Sequence, residues 1–341
     1  MDSPFGADGE QLSIIIPTYN CAAYLRETLR SVKAELADRF SGAQICVLDD
    51  HSTADDPGAI VTEIWPQRVR FIQHPQNVGP CANFNACVEL ANREWIHILH
   101  GDDYVLPGVY TEFARCIEEH PDAIAVFARA MKVTAEGKQM GEVSPSLGPA
   151  ARGWLKYEPL AWSHNPILFP SVLISRTAVN LIGNFDCTFC HVQDWNLWWR
   201  IAMTKRAVYS NAVVAAYREF EGNHTSTIVR NGTSLRESLD QLDRLVESVR
   251  NDATLEQIPT EAFYQKWFQI GLAVLSRFFD EPESFAANYR LFHRFPAKFR
   301  RHPKLLWMRL RYLENNIRRR LSLPTRPSTA VRRARQTIGT G

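Results

Sequence analysis

The sequence has no apolar run approaching the roughly 18 residues that a membrane-spanning helix requires. Its best stretch, Ile270–Phe279, is short and interrupted by Arg277. Residues 1–10 are acidic and polar, and the run Leu12–Pro17 is too short for the apolar segment of a secretory leader. The expectation is a cytoplasmic protein, with peripheral contact to the inner face of the plasma membrane open. No G-x-G-x-x-G follows the first predicted strand, which disfavours a dehydrogenase. No glycine-rich loop with Arg or Lys stands there either, as a nucleotidyltransferase making nucleotide-sugars would need. Cysteine is sparse and odd in number, seven in 341 residues. A chain of this size needs no disulfide staples, so the thiols are expected reduced and mostly buried.

What is present describes a globular chain: 45% apolar and 22% charged residues, enough to bury a sizeable core. The net charge of +2 hides an asymmetry. From Ala297 to Gly341, thirteen Lys and Arg face one acid, Glu314, a local +12 that leaves −10 on the remainder. A basic tail on an acidic body points to an anionic partner for the tail. The acidic body argues against a nucleic-acid face.

Residues up to 130 alternate short β-rich runs with helical patterns. Strands are predicted at Leu12–Ile16, Gln44–Leu48, Val69–Gln73, Trp95–Leu99 and Ala123–Phe127, with helices at Asp55–Trp65, Pro80–Ala91 and from Pro107. The first helix has Tyr24, Leu25, Leu29, Val32 and Leu36 on one face. Such alternation implies βαβ units and a mostly parallel central sheet flanked by helices. Ligands of open α/β sheets bind beyond the carboxyl ends of the strands. Those ends carry Pro17-Thr-Tyr-Asn20, Asp49-Asp50-His51-Ser52, His74–Gly79 and His100-Gly-Asp-Asp103. Residues 131–230 read as an irregular lobe. Residues 232–294 return to helical periodicity, for example Leu235, Leu239, Leu242, Leu245 and Val246, and 303–321 form a basic helix. The expected organisation is a catalytic domain over 1–230, with a nucleotide-binding half at about 11–130 and an acceptor half at about 131–230. A helical region over 231–321 and a disordered basic tail over 322–341 follow.

Asp102-Asp103 after a hydrophobic strand suits a divalent cation that neutralises a diphosphate leaving group, and oxygen ligands suit Mg²⁺ or Mn²⁺. An aspartate at such a turn also serves as a helix cap. Five segments occur in an order that resembles family 2 glycosyltransferases: Ser13-Ile-Ile-Ile-Pro-Thr-Tyr-Asn20, Val47-Leu-Asp-Asp-His-Ser-Thr-Ala-Asp-Asp56, Asn77-Val-Gly-Pro-Cys-Ala-Asn-Phe-Asn85, His100-Gly-Asp-Asp-Tyr-Val-Leu-Pro-Gly108 and Gln193-Asp-Trp-Asn-Leu-Trp-Trp-Arg200. The resemblance covers roughly residues 11–230 and implies the GT-A fold. It also implies that Thr18, Tyr19, Asp49 and Asp50 hold the donor's base and ribose, and that Asn77 and Gly79 wall the nucleotide and sugar. By the same resemblance Asp102 contacts the metal, Asp103 supports the sugar or the loop, and Asp194 is the catalytic base. Pro17, Asn20, Ser52 and Asn83 complete the expected donor site.

The sequence departs from the family pattern at four places. His100 replaces the first acid of the DxD element, His51 stands in the usual Asp-Gly-Ser, Phe84 replaces a frequent Arg, and Gln193 replaces the Glu before the base. Inversion follows from the search for nucleophiles: one displacement needs a single base, and no second carboxylate offers itself for a double displacement. His224, in a loop after Tyr217-Arg218, is a further metal candidate. Ser171, Trp162 and Trp195 are candidate acceptor contacts, with Trp154 another possible sugar platform. Cys187-x-x-Cys190-His191 spells a haem-attachment pattern, but no export signal or second zinc-ligand pair accompanies it. It reads as the loop that positions Asp194, with a redox-sensitive dithiol.

The expected function is therefore transfer of a sugar, with inversion, from a nucleotide-diphospho-sugar, UDP-linked by resemblance. The acceptor is a saccharide or lipid-linked hydroxyl in cell-surface polysaccharide or glycolipid assembly. The alternative is a non-catalytic nucleotide-sugar or carbohydrate-binding module. The basic helix, with Leu305, Leu306, Trp307, Leu310, Leu313 and Ile317 beside its cations, can lie in an anionic membrane interface or dock on the acidic body.

Overall fold

The computed structural model describes residues 3–6, 8–36, 40–156, 164–220, 228–251 and 260–321. The chain divides into two compact units, one comprising Met1–Glu158 with Asn165–Phe220 and the other Pro159–His164 with Glu221–Gly341.

The first unit is an α/β layer structure built on ten strands: β1 (Leu12–Thr18), β2 (Gln44–Asp49), β3 (Arg70–Gln73), β4 (Trp95–Ile98), β5 (Tyr104–Val105), β6 (Ala125–Val133), β7 (Gln139–Val143), β8 (Arg152–Trp154), β9 (Val172–Ser175) and β10 (Ala207–Arg218). They lie in the order β3-β2-β1-β4-β9-β6-β10-β5, with β7 on β6 and β8 on β10. Strands β3, β2, β1 and β4 run parallel, as do β6 and β10. Antiparallel β9 sits between β4 and β6, so β6 and β10 point the same way as β1. The carboxyl ends of β1, β2, β3, β4, β6 and β10 therefore share one edge. Every residue of β1 is buried, which explains its continuous apolar spelling.

Helices α1 (Ala22–Leu36), α2 (Pro57–Ile64), α3 (Pro80–Leu90), α4 (Val109–Glu119), α5 (Arg176–Ile182) and α6 (Gln193–Met203) flank the sheet. Leu25, Leu29, Val32 and Leu36 of α1 enter the core beside Ile14, Ile16, Val47 and Phe113. Asp56 caps α2 by accepting from the Ala59 N–H, with Pro57 in the first turn. The fourth helix starts at Val109 rather than Pro107, because Gly108 takes a left-handed conformation at its N-cap.

The irregular reading of residues 131–230 is corrected by β10, a strand of 12 residues. Its register on β6 shifts twice between Tyr209 and Ala215, and these irregularities break the alternation by which a strand is recognised.

In the second unit α7 (Thr233–Asn251), α8 (Thr260–Arg277), α9 (Pro282–Tyr289), α10 (Ala297–Arg300) and α11 (Pro303–Arg320) pack around aromatic side chains. Phe268 lies 5.6 Å from Phe292 and 5.4 Å from Phe295, and Phe285 stacks on Tyr312 at 4.5 Å. Leu235, Leu239, Leu242, Leu245 and Val246 form the buried stripe of α7. No described helix is long and apolar enough to cross a membrane. Residues 322–341 of the basic tail lie outside the described residues.

Candidate active site at the sheet edge

The loops beyond β1, β2 and β3 are held to one another by polar side chains. Asn20, in the left-handed region at φ 49°, accepts from the Thr53 and Ala54 N–H groups and donates its own N–H to Ser52 Oγ at 2.8 Å. Asp49 accepts from Ser52 Oγ and N and from Gln73 Nε2. Asp50 accepts from the N–H groups of Val78 and Gly79 and from Asn77 Nδ2. Both carboxylates are buried and turned into the loops: Asp50 holds the wall formed by Asn77 and Gly79, and Asp49 ties Ser52 to Gln73. Asn83 is buried in α3 against His74, 3.1 Å from its Nε2. Thr18 is buried at the end of β1 with its Oγ1 2.9 Å from Cys21 Sγ, whereas Tyr19 is exposed.

Beyond β4, Gly101 packs its backbone on the β1 loop. A Cβ there would lie 3.1 Å from both Cys21 Sγ and Thr18 Oγ1, so the close approach suits glycine. His100, Asp102 and Asp103 each offer one ligand atom, all within 4.8 Å of one another, the one such group of three among the described residues. His100 stacks on Phe84 at 5.1 Å and leans on Phe169 at 4.2 Å. Burial lowers its pKa to about 4, so the ring is a neutral imidazole at neutral pH. Its Nδ1 is 3.7 Å from Asp103 Oδ2, too long for a hydrogen bond, and a neutral ring forms no ion pair there. Burial also raises both aspartates, Asp103 well above the carboxylate range with Asp102's charge adding to the effect. His100 Nε2 and Asp103 Oδ2 are buried without a hydrogen-bond partner. Desolvated carboxylates with an orphaned oxygen and a neutral imidazole fit a divalent cation.

Two residues at the end of β10 were not marked as site residues by sequence. Arg218 is buried and braces the acidic loop. Its N–H donates to Asp103 Oδ1 and its Nε to the Asp102 carbonyl, both at 2.8 Å, while its Nη1 reaches the Thr134 and Ala135 carbonyls. The guanidinium also pairs with Glu27 and lies over the Tyr24 ring at 4.8 Å. Tyr217 beside it is pushed up by burial, then by the charges of Asp103, Asp102 and Asp194.

Asp194 belongs to the first turn of α6. Its Oδ2 accepts from Asn165 Nδ2 at 2.8 Å and its Oδ1 from the Trp195 N–H at 2.6 Å. Burial raises its pKa to about 6 against these hydrogen bonds.

Residues 13–159 match the family model described as glycosyl transferase family 2. These residues are a family 2 glycosyltransferase domain. The α/β sheet of the first unit, with its flanking helices, is the GT-A fold expected from sequence. Among curated relatives, an uncharacterised Mycobacterium tuberculosis protein is 31% identical over 121 residues, 36% of this chain and 37% of its own length. Escherichia coli chondroitin synthase is 36% identical over 98 residues, 28% of this chain and 14% of its own. Salmonella typhimurium abequosyltransferase is 34% identical over 97 residues, 27% of this chain and 28% of its own. The chain thus spans between 14% and 37% of the length of these three relatives. Among solved structures, S. aureus TarS residues 1–349 in complex with UDP-GlcNAc aligns with TM-score 0.56 at 18% identity, covering 93% of each chain. A Pyrobaculum calidifontis mannosyltransferase in complex with GDP-Man and Mn²⁺ aligns with TM-score 0.51 at 16% identity, covering 90% of this chain and 87% of that one.

The acceptor residues expected of this glycosyltransferase domain need correction. Ser171 is fully buried, and its hydroxyl donates to the Ala128 and Leu168 carbonyls. Trp195 is buried in the core, which leaves its ring no open face for a sugar. Trp154 pairs with Val208 near the start of β10, at the opposite end of that strand from Tyr217. Trp162 and His224 lie outside the described residues. The thiols also differ from expectation. Cys187 forms a disulfide with Cys81, at the start of α3, rather than acting with Cys190 as a dithiol; the other five cysteines are in no disulfide. Asn85 ties the same two segments together, bonding both the N–H and the carbonyl of Phe185.

Proposed function

We propose that the chain is an inverting glycosyltransferase that moves a sugar from a nucleotide-diphospho-sugar, a UDP-sugar by preference, to a saccharide or lipid-linked hydroxyl. The observation that carries this reading is the cluster of His100, Asp102 and Asp103, whose ligand atoms lie within 4.8 Å of one another beyond β4, at the carboxyl edge of the sheet. The ligands of the structural neighbours, UDP-GlcNAc, UDP and GDP-Man, support a nucleotide-sugar donor. The relatives named chondroitin synthase and abequosyltransferase support a role in building cell-surface saccharide.

In this mechanism Asp194 takes the proton of the acceptor hydroxyl. The acceptor oxygen bonds to the anomeric carbon from the face opposite the diphosphate, and the bond to the leaving oxygen breaks with its electron pair. Asn165 holds one Asp194 oxygen and the Trp195 N–H the other, fixing the base in place. A pKa of about 6 leaves Asp194 ionised at neutral pH yet a stronger base than an exposed carboxylate. Asp102, with His100 and Asp103, would hold a divalent cation, which supplies charge neutralisation to the departing diphosphate. Carboxylates beside an imidazole accommodate Mn²⁺ more readily than Mg²⁺, which favours an all-oxygen shell. Tyr19, exposed beside the β1 loop, would meet the nucleotide.

Melting curves of the full chain with UDP, GDP or dTDP, each with Mn²⁺ or Mg²⁺, test the reading. UDP with Mn²⁺ is expected to raise the melting temperature most. Asp102→Ala is expected to weaken the metal-dependent part of UDP binding by roughly tenfold or more. The reading fails if no nucleotide or metal shifts the transition. A chain that binds UDP but never releases it from a UDP-sugar, to water or to saccharide acceptors, would instead be a binding module.

A further inference from the structure

The last described helix has two apolar faces, and only one is covered. Leu305, Met308 and Asn315 of α11 are buried in the second unit. Tyr312 of the same face stacks on Phe285 and donates its hydroxyl to the Pro282 carbonyl. Leu306, Leu310, Leu313, Ile317 and Leu321 are all exposed, with Leu310 at 67%, Ile317 at 60% and Leu321 at 63%. At 3.6 residues per turn these five positions fall within an arc of roughly 80°, on the side opposite Leu305 and Met308. Single exposed leucines are ordinary, whereas a stripe along a whole helix marks a contact surface.

Charge identifies the partner. Arg300, Arg301, Lys304 and Arg309 are exposed on α10, α11 and the turn between them. The one acid of this segment, Glu314, is paired within the helix to Arg311 at 2.9 Å and Arg318 at 3.2 Å. The remaining sequence after Arg320 adds Arg326, Arg332, Arg333 and Arg335 and no acid. Two such stripes face to face would bring like charges together. A surface that is anionic outside and apolar beneath takes the leucines below and Arg309, at the flank of the stripe, in its charged layer.

We propose that α11 lies in the interface of an anionic lipid bilayer, with Leu306, Leu310, Leu313, Ile317 and Leu321 among the acyl chains and the arginines at the headgroups. The protein would then act as a peripheral enzyme at a membrane face. This does not depend on the transfer reaction and is read without it.

Flotation of the full chain with vesicles of phosphatidylcholine, alone or mixed with phosphatidylglycerol, tests the proposal. The chain is expected to float with the mixed vesicles and roughly tenfold less with the neutral ones, and added salt is expected to weaken the binding. The double variant Leu310→Gln/Ile317→Gln changes only exposed side chains. It is expected to keep the native circular dichroism spectrum and lose roughly tenfold or more of the binding. Absence of flotation, or equal flotation by the double variant, overturns the proposal. So does a concentration-dependent dimer in sedimentation velocity that the double variant lacks, because the stripe's occupant is then a second copy.

Discussion

Asp194→Asn is expected to cut sugar transfer by at least ~100-fold while leaving UDP binding unchanged, and to make the protein more stable at neutral pH. The rate effect follows from loss of the proton acceptor in the proposed mechanism. The stability effect follows from burial. The folded state holds the Asp194 proton with a pKa of about 6, against about 4 in an unfolded chain. Between those values the folded state binds more protons, so this group's contribution to stability falls as pH rises, and above about pH 6 it stays at its lowest. Asparagine carries no such cost and still accepts from one of the two donors. A gain of about 1–2 kcal/mol at pH 7.5, vanishing below pH 4, is expected after allowing for the lost hydrogen bond. Denaturant melts at several pH values, beside a transfer assay, measure both halves. Wild-type transfer by this variant would remove Asp194 from the mechanism. The same titration predicts that wild-type activity declines as pH drops through about 6.

Arg218→Met should act in the other direction. Its methylenes are replaced, but the carbonyls of Asp102, Thr134 and Ala135 lose their donor, and the aspartate pair loses its neighbouring positive charge. Part-buried carbonyls left without their donor and an acidic pair stripped of its neighbouring charge together cost about 3 kcal/mol. The expected result is a large fall in the denaturation midpoint and loss of metal-linked UDP stabilisation below it. Arg218→Lys is expected to recover little, because one ammonium cannot reach four partners in a plane. A change under ~1 kcal/mol in Arg218→Met would show that the loop stands without this brace.

The amino-terminal part of the sheet was legible because strands such as Leu12–Thr18 and Trp95–Ile98 are buried along their whole length and spelled almost without interruption. Residues at the strand ends could then be placed on one edge from topology alone. Other features left no local trace. The disulfide joins residues 106 apart in sequence, a distance over which spacing says nothing. Trp195 and Ser171 have types that serve a pocket and a core equally well, and only packing decides between them. Asp49 and Asp50 stand at the expected edge, but the direction of their oxygens depends on partners such as Gln73 and Asn77, far along the chain. Arg218 ends a strand whose irregular register hides its alternation, so the residue that braces the acidic loop has no signature in the sequence.

The Phe84–His100 stack bears on how this chain could have diverged. Two of its departures from the family pattern touch each other, an uncharged ring on an uncharged ring. Restoring an acid at 100 alone would press a carboxylate against Phe84 and Phe169, and restoring an arginine at 84 alone would strand a cation beside an imidazole that burial keeps neutral. The two side chains therefore work as a matched pair, and changing both positions together is expected to disturb the loop less than changing either alone.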